Sequence, residues 1–457
     1  MHTEPLKAYI ESDLEKRLSP LMEFLRFPST ADDFKSCRRC ASWLCGYIGK
    51  LGFDSRLVDT DGKPCVFGSL TVDPDLPTLL IYGHYDVQPP HPLDQWDSDP
   101  FEPVIREQSI YARGADDDKG QIFSHLLAVE ALIAVRGGLP VNLKLIFEGE
   151  EESGSPNMEA FITANRELLS ADALVVSDGT FFSDSRPSIL SGLRGLCTFE
   201  VICRGPSMDL HSGLAGGVVA NPINALCRLV GLMHDENGKV TLPGFYDDVE
   251  IPSESDIETW NRLDAGSESQ AESFGVDVLA GGEDARGFLE RLWSRPTLDC
   301  NGIEGGFQGN GDKTIIPASA SVKISTRLVP FQKPEKIFDA MNTFVEENTP
   351  PGIKSEVVCR AAVRPVLLDT GSRIAGKAVA AIEEAFGTRP VFVRCGASIP
   401  ITEMFQRIMG LDAVMIGIGL PGDNIHAPNE HIPIFQVTRG AVMSSVFMEM
   451  LRVDNGA

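Results

Sequence analysis

The sequence predicts an α/β protein in which one domain is interrupted by another, and three observations carry that reading. Short apolar strands alternate with helical repeats up to about Ser188, the texture then changes, and the first texture returns from Ser372. A chain of 457 residues is also longer than one compact core accommodates. The boundaries fall so that residues 1–191 and 366–457 form one domain and residues 192–365 an inserted one.

The chain opens with a helical repeat through Leu6, Ile10, Leu14, Leu18 and Leu21, and a second helix is expected from Asp33 through Leu51. Strands follow at Ser55 to Val58, Val66 to Leu70 and the strongly apolar Thr78 to Tyr82. A helix over Gly120 to Arg136 leads to Val141 to Phe147, whose alternation reads as a half-buried strand, and then to the apolar strand of ALVVSDGT. In the inserted part a strand at Leu196 to Cys203 precedes a helix at Pro222 to His234. A polar, irregular stretch is expected from about Asn237 to Gly282, then a helix at Asp284 to Trp293. Strand, helix and strand follow at Ala320 to Leu328, Pro334 to Glu347 and Ser355 to Val363. The outer domain resumes with a helix from Ser372 through Ala385 and strands at Pro390 to Val393 and Ala413 to Ile418.

Composition narrows the function. Hydrophobic residues at 43% and charged residues at 23% suit a soluble globular protein, and a formal net charge of -25 argues against nucleic acid or an anionic membrane as partner. The N-terminal stretch mixes charge into every turn, and no run approaches the roughly 18 apolar residues of a membrane span, so a cytoplasmic location is expected. The ten cysteines are scattered, and those in apolar runs, such as Cys197, Cys203 and Cys359, read as reduced core residues. Cys37 and Cys40 form a CxxC, but Cys45 continues the same helical pattern and no second pair follows at zinc-ribbon spacing.

Five short segments of the outer domain carry chemistry. GHYDVQP sets His84 and Asp86 just past the Thr78 strand, two residues apart and so on one face of an extended chain. YARGADDDKG is a glycine-bracketed turn whose aspartates, Asp116 to Asp118, are candidates for ligation, and one of them is expected to cap the next helix. FEGEEESGS puts Glu150, Glu151 and Glu152 at a strand end, where neighbouring acids can point different ways: one to hold a metal, the next to move protons. ALVVSDGT ends in Asp178, and NIHAPNEH offers His426, with His431 read as structural. Each segment alone fits an ordinary surface or core role. Together they place histidines and acids at strand ends that one crevice would collect. Crowded carboxylates are costly unless compensated, and divalent cations compensate them, with mixed imidazole and carboxylate donors suiting zinc, manganese or cobalt.

These segments, with DLHSG at Asp209 to Gly213, ISTRLVP at Ile324 to Pro330, SIPIT at Ser398 to Thr402 and IHAPNE at Ile425 to Glu430, resemble the M20 metallopeptidases, and most of all their carnosinase-like dipeptidase branch. The resemblance runs in order from about Leu79 to Glu430. It implies a di-zinc α/β catalytic domain carrying an inserted α/β lid that mediates homodimerisation. Carried over residue by residue, it implies that Asp117 bridges two divalent metal ions, most readily Zn2+, with Mn2+ or Co2+ as alternatives. His84 and Asp178 would complete one site, Glu152 and His426 the other. Glu151 resembles the general base and Asp86 the acid that orients His84. His211 is similar to a lid histidine that reaches the partner subunit, Thr314 and Arg327 to lid positions that contact the substrate carboxylate, and Ser398 to a pocket position. The implied reaction is hydrolysis of the amide bond of dipeptides or short peptides with a free C-terminal carboxylate, by a metal-bridged water. A deacylase or desuccinylase of N-acyl amino acids would use the same ligands, and a non-catalytic binding protein would keep the fold. The chain departs from the common REGGSIP pattern at Arg394-Cys395-Gly396-Ala397-Ser398, which bears on substrate preference.

Overall fold

The structure, a computed structural model, describes residues 3–263, 267–279, 286–397 and 399–452. They fall into two compact units, one of Met1–Ser191, Leu368–Val393 and Ile399–Ala457, the other of Gly192–Leu367 and Arg394–Ser398.

The first unit is built on a mixed sheet in the order Asp54–Val58, Cys65–Leu70, Asn142–Glu148, Thr78–His84, Ala173–Val176, Ala413–Met415, Ser188–Leu193, with Val391–Cys395 also against Ser188–Leu193. Its four middle strands from Asn142–Glu148 to Ala413–Met415 are parallel, with His84 opposite Glu148 and Tyr82 opposite Val176. Their carboxyl ends therefore open on one edge of the sheet, where open α/β sheets bind ligands. The Asn142–Glu148 strand is buried on both faces, not half-buried as its alternation predicts. Lys144, its polar-looking residue, sends Nζ out to the Ser170 carbonyl at 2.7 Å, a lysine stem covering apolar neighbours while its head escapes.

The N-terminal repeat forms two helices, Glu4–Glu11 and Leu14–Leu25, because Asp13 takes a left-handed conformation (φ 51°) between them, which aspartate tolerates better than most residues. Helix Lys119–Arg136 ends at Gly137, also left-handed (φ 80°), whose N–H caps the Ile133 carbonyl. Its apolar partner, the Ile434–Arg452 helix, was not apparent in the sequence: it is buried almost all round, so no amphipathic stripe announces it. Gly440 lets it approach closely, since a Cβ there would lie 2.8 Å from Ile418 Cδ1 and 3.2 Å from Ser124 Cβ.

His125 lies between these two helices, fully buried, its Nδ1 2.8 Å from Ser444 Oγ. Burial lowers its pKa from 6.5 to about 4. The unfolded chain then takes up a proton near pH 6.5 that the folded chain refuses until about pH 4, so stability falls as pH drops through that window. The loss from this group is on the order of 3 kcal/mol. Urea unfolding at pH 7 and 4.5 should show it, and a His125→Gln variant should lose that part of the slope; an unchanged slope would refute the assignment.

The second unit carries an antiparallel sheet in the order Thr297–Gly305, Ser319–Leu328, Gly195–Arg204, Lys354–Val363, covered on one face by helices Pro222–Leu232 and Pro334–Asn348. Strict alternation of burial along Gly195–Arg204 shows why it pairs in this register: alternate residues face the helices. The stretch expected to be irregular contains helices Glu254–Leu263 and Ser267–Ser273. Trp260 packs edge-on against Trp293 of the Phe288–Ser294 helix, so one aromatic contact organises an otherwise polar segment. The expected start of that last helix, Asp284, lies outside the described residues. None of the ten cysteines is in a disulfide. Cys37 and Cys40 are buried, and burial pushes the Cys37 thiol up to about 12, which suits a core role. Cys359, expected in the core, is exposed because its strand lies at the sheet edge. Among the described residues no helix is long and apolar enough to cross a membrane.

Candidate metal centre

Five of the segments singled out in the sequence meet at the carboxyl edge of the first unit's sheet. His84 is the last residue of its strand and fully buried; Asp178 lies two residues beyond the Ala173–Val176 strand; Glu151 and Glu152 begin a short turn after the Asn142–Glu148 strand. Asp117 occupies the turn before helix Lys119–Arg136, and its peptide to Asp118 is cis. His426 comes from the loop before the His431–Pro433 strand, with a left-handed backbone (φ 61°).

The donor atoms form two groups. His84, Glu151 and Asp178 bring one ligand atom each within 4.8 Å of one another, and so do Asp117, Glu152 and His426. Asp117 faces both: its Oδ1 lies 2.9 Å from His84 Nε2 and its Oδ2 2.9 Å from His426 Nε2. Asp178 Oδ2 is 4.0 Å from His84 Nε2, and Glu152 Oε2 3.2 Å from His426 Nε2. Ligands about 2.0–2.2 Å from a tetrahedral ion stand roughly 3.3–3.5 Å apart, so these separations bracket what such an ion requires.

The electrostatics favour positive charge here. Burial, then the Asp117 carboxylate, pushes Asp178 up to about 7, and burial, then Asp178, raises Glu151 well above the usual carboxylate range. His426 is raised to about 10 by its contacts with Asp117 and Glu152. Burial opposes charge on His84, yet Asp117 and Asp86 outweigh it and raise this histidine too. Burial likewise opposes charge on Asp117, but its hydrogen bonds with His426 and His84 hold it below the carboxylate range. Glu152 Oε1 is buried with no hydrogen-bond partner, an orphan acceptor on the same carboxylate whose other oxygen faces His426. Orphaned oxygen, imidazoles and crowded carboxylates together form a donor set that fits divalent cations.

The surrounding residues do more than the sequence suggested. Asp86 lies 3.5 Å from His84 Nδ1 through Oδ1, and its carboxylate also accepts from the N–H groups of Glu151 (3.3 Å) and Glu152 (3.1 Å). It thus sets both the imidazole and the acidic turn. Asp118 stands at the N-cap of the Lys119–Arg136 helix but makes no side-chain cap there; its Oδ2 accepts from the His84 N–H at 2.9 Å. The capping expected of one of the three aspartates is therefore not found, because the strand end competes for that carboxylate. Gln88 donates to Glu152 Oε2 at 2.7 Å, and Glu430 is engaged by Arg113 and by the turn that carries Asp117. Gln88, Arg113 and Glu430 were missed. In sequence they resemble any polar loop residue, and only their places inside the quoted motifs hinted at a role.

The remaining candidates belong to the second unit. His211 is exposed, pairs with Ile315 across a two-residue ladder, and accepts from the Gly213 N–H through Nδ1 at 3.0 Å. Thr314 is also exposed, and its carbonyl accepts from the Ser212 N–H. Arg327 lies on Ser319–Leu328 between Thr297 and Leu196 and lines a cavity of about 540 Å³ with Arg194, Arg295 and Asp299. Ser398 lies outside the described residues.

An α/β unit that gathers two clusters of imidazole and carboxylate donors at the ends of parallel strands defines a metal-dependent hydrolase class of site. Comparison with known proteins places it further. Residues 80–450 match Peptidase family M20/M25/M40, and the chain belongs to that family. It is similar to Cys-Gly metallodipeptidase DUG1 of Candida albicans, with 31% identity over 96% of this chain and 95% of the relative. The Beta-Ala-His dipeptidase of Homo sapiens is 33% identical over 85% of this chain and 78% of the relative. Among solved structures, the M20 family metallo-carboxypeptidase Sso-CP2 from Sulfolobus solfataricus superposes with a TM-score of 0.85 at 33% identity, covering 96% of this chain and 99% of that one.

Proposed function

We propose that this protein is a dipeptidase that hydrolyses the amide bond of dipeptides or short peptides with a free C-terminal carboxylate, using two divalent metal ions. The observation that carries the reading is Asp117, whose two carboxylate oxygens each face a different histidine at 2.9 Å. One ion would take His84 and Asp178, the other Glu152 and His426, with Asp117 shared. Zinc suits that donor set best, and manganese or cobalt would be accepted by it. The relatives named for Cys-Gly and Beta-Ala-His dipeptidase activity support the substrate class.

When bound, such a pair of ions acidifies a water and polarises an amide carbonyl. This chain's residues do the rest. Glu151, beside His84 and Asp178, takes the proton from the attacking water and delivers it to the leaving amine. Asp86 holds the His84 ring and, through the Glu151 and Glu152 N–H groups, the backbone of the general base. In the lid, residues 192–365, Arg327 and Thr314 would bind the free carboxylate and His211 would donate to the oxyanion of a partner subunit, while Ser398, outside that range, is assigned to the substrate pocket by its motif alone. Homodimerisation through this domain is supported by the exposure of Leu214 (86%) and Val218 (88%) next to His211. Ten cysteines held as thiols, several of them in the core, support a cytoplasmic location.

Purified protein, assayed for metal content and mass in solution, should be tested on dipeptides beside acetyl- and succinyl-amino acids. Turnover confined to dipeptides by a zinc-bearing dimer is expected. Turnover confined to acyl amino acids would replace the reading with a deacylase, and bound metal with no turnover of either would replace it with a binding protein.

A further inference from the structure

The two chain segments that supply Asp117 and His426 are far apart in sequence, yet a short ladder joins them. Strand His431–Pro433 pairs antiparallel with Ser109–Tyr111, with His431 opposite Tyr111. The ladder continues one residue further, where the Ala112 N–H donates to the Glu430 carbonyl at 3.1 Å. Past that point one segment runs forward to Asp117 and the other runs back to His426, side by side. Glu430 sits where they diverge, fully buried, with Arg113 only 1% exposed beside it.

The Glu430 carboxylate is shared out with little to spare. Oε2 accepts from Arg113 Nη1 at 2.7 Å and from the Gly114 N–H at 3.0 Å. Oε1 accepts from the Asp116 N–H at 3.0 Å and the Asp117 N–H at 3.1 Å. Three backbone donors of one turn thus converge on a single side chain. The far end of the same turn is tied by Lys119, whose Nζ donates to the Phe24 and Phe27 carbonyls at 3.3 and 2.7 Å. Among the described residues of this turn, Asp117 is the one whose carboxylate joins the two donor groups.

We propose that Glu430 is a positioning residue for the metal centre: by clamping the Asp117 backbone from the loop that also bears His426, it fixes the separation of two ligands and so sets metal affinity. This rests on the two-metal reading above. The side chain touches neither substrate nor metal ligand donor atoms and acts through the backbone of the turn. Glutamine in its place keeps the size but turns one oxygen into a donor, which faces the donors of Arg113 and Gly114 or of Asp116 and Asp117. The turn then loosens, and Arg113 is left buried without its counter-charge.

Metal-stripped wild type, Glu430→Gln and the double variant Glu430→Gln/Arg113→Met should be titrated with zinc against a competing chelator, alongside thermal unfolding. The second change removes the stranded charge, so the double variant should recover most of the stability lost by the single one. Zinc affinity should nevertheless stay about 10–100-fold below wild type in both. If affinity returns with stability, Glu430 is only a brace of the fold and the proposal fails. Two ions bound with wild-type affinity in both variants would also overturn it, while leaving the metal reading intact. A wild-type chain that takes up no zinc would overturn that reading, and this inference with it.

Discussion

Glu151→Gln should lower turnover of a dipeptide by at least about a hundredfold while leaving two metal ions per chain, because a positioned proton carrier commonly contributes a factor of ~10²–10⁴. Glu151 and Glu152 are adjacent acids with different surroundings. Glu152 accepts from Gln88, faces His426 at 3.2 Å and leaves its other oxygen orphaned, the environment of a ligand. Glu151 makes no comparably short contact to a histidine; burial and Asp178 keep it poised to hold a proton. Its donor atom nevertheless lies within 4.8 Å of those of His84 and Asp178, so ligation is the competing role. Metal analysis separates the two. Glu152→Gln should lose metal and activity together, and Glu151→Gln should lose activity with metal retained. Equal loss of metal in the two variants would defeat the division of labour.

Exhaustive chelation should abolish activity and also destabilise the fold, both reversed by zinc. Asp117, Glu151, Glu152 and Asp178 crowd the partly buried carboxyl edge of the sheet, and removal of the compensating charge leaves their mutual repulsion incompletely screened. A ligand present at a thousand times its dissociation constant stabilises the folded state by about 4 kcal/mol, so the melting temperature should rise clearly on readdition of zinc. A melting curve indifferent to chelator, with activity intact, would rule out a resident metal. The Asp117→Asn variant offers an independent check, since loss of the one carboxylate shared between the groups should affect both ions and not one.

The elements most legible in the sequence were those with a single strong signal. Thr78 to Tyr82 is strongly apolar at Leu79, Leu80 and Ile81 and became a central strand; Pro334 and Ser372 mark helix starts where the structure has them. Legibility failed where tertiary burial erased the pattern. The Ile434–Arg452 helix is apolar on nearly every side, and the Asn142–Glu148 strand hides its one lysine by extension. It failed again where one long-range contact decides the conformation, as for the helices around Trp260 and Trp293. In the metal centre the same division holds. His84, Asp178 and Glu152 stand at strand ends that hydropathy alone locates, whereas Asp86, Asp118 and Glu430 owe their roles to partners distant in sequence or to competition between a helix start and a strand end.

By itself, the sequence determined the chemical inventory and its order: an α/β framework, an inserted domain, and imidazoles and carboxylates placed just past apolar strands. Local periodicity and side-chain chemistry suffice for that, because each is a property of neighbouring residues. The resemblance already implied Asp117 as the shared acid and Asp86 as the partner of His84; only the tertiary structure decided what holds them, with Asp118 and Glu430 committed to backbone donors and Asp86 also engaged by the acidic turn. Those choices depend on backbone donors delivered by strand pairing across the fold, such as the N–H groups that Asp86, Asp118 and Glu430 accept, and no local pattern encodes where those donors will lie.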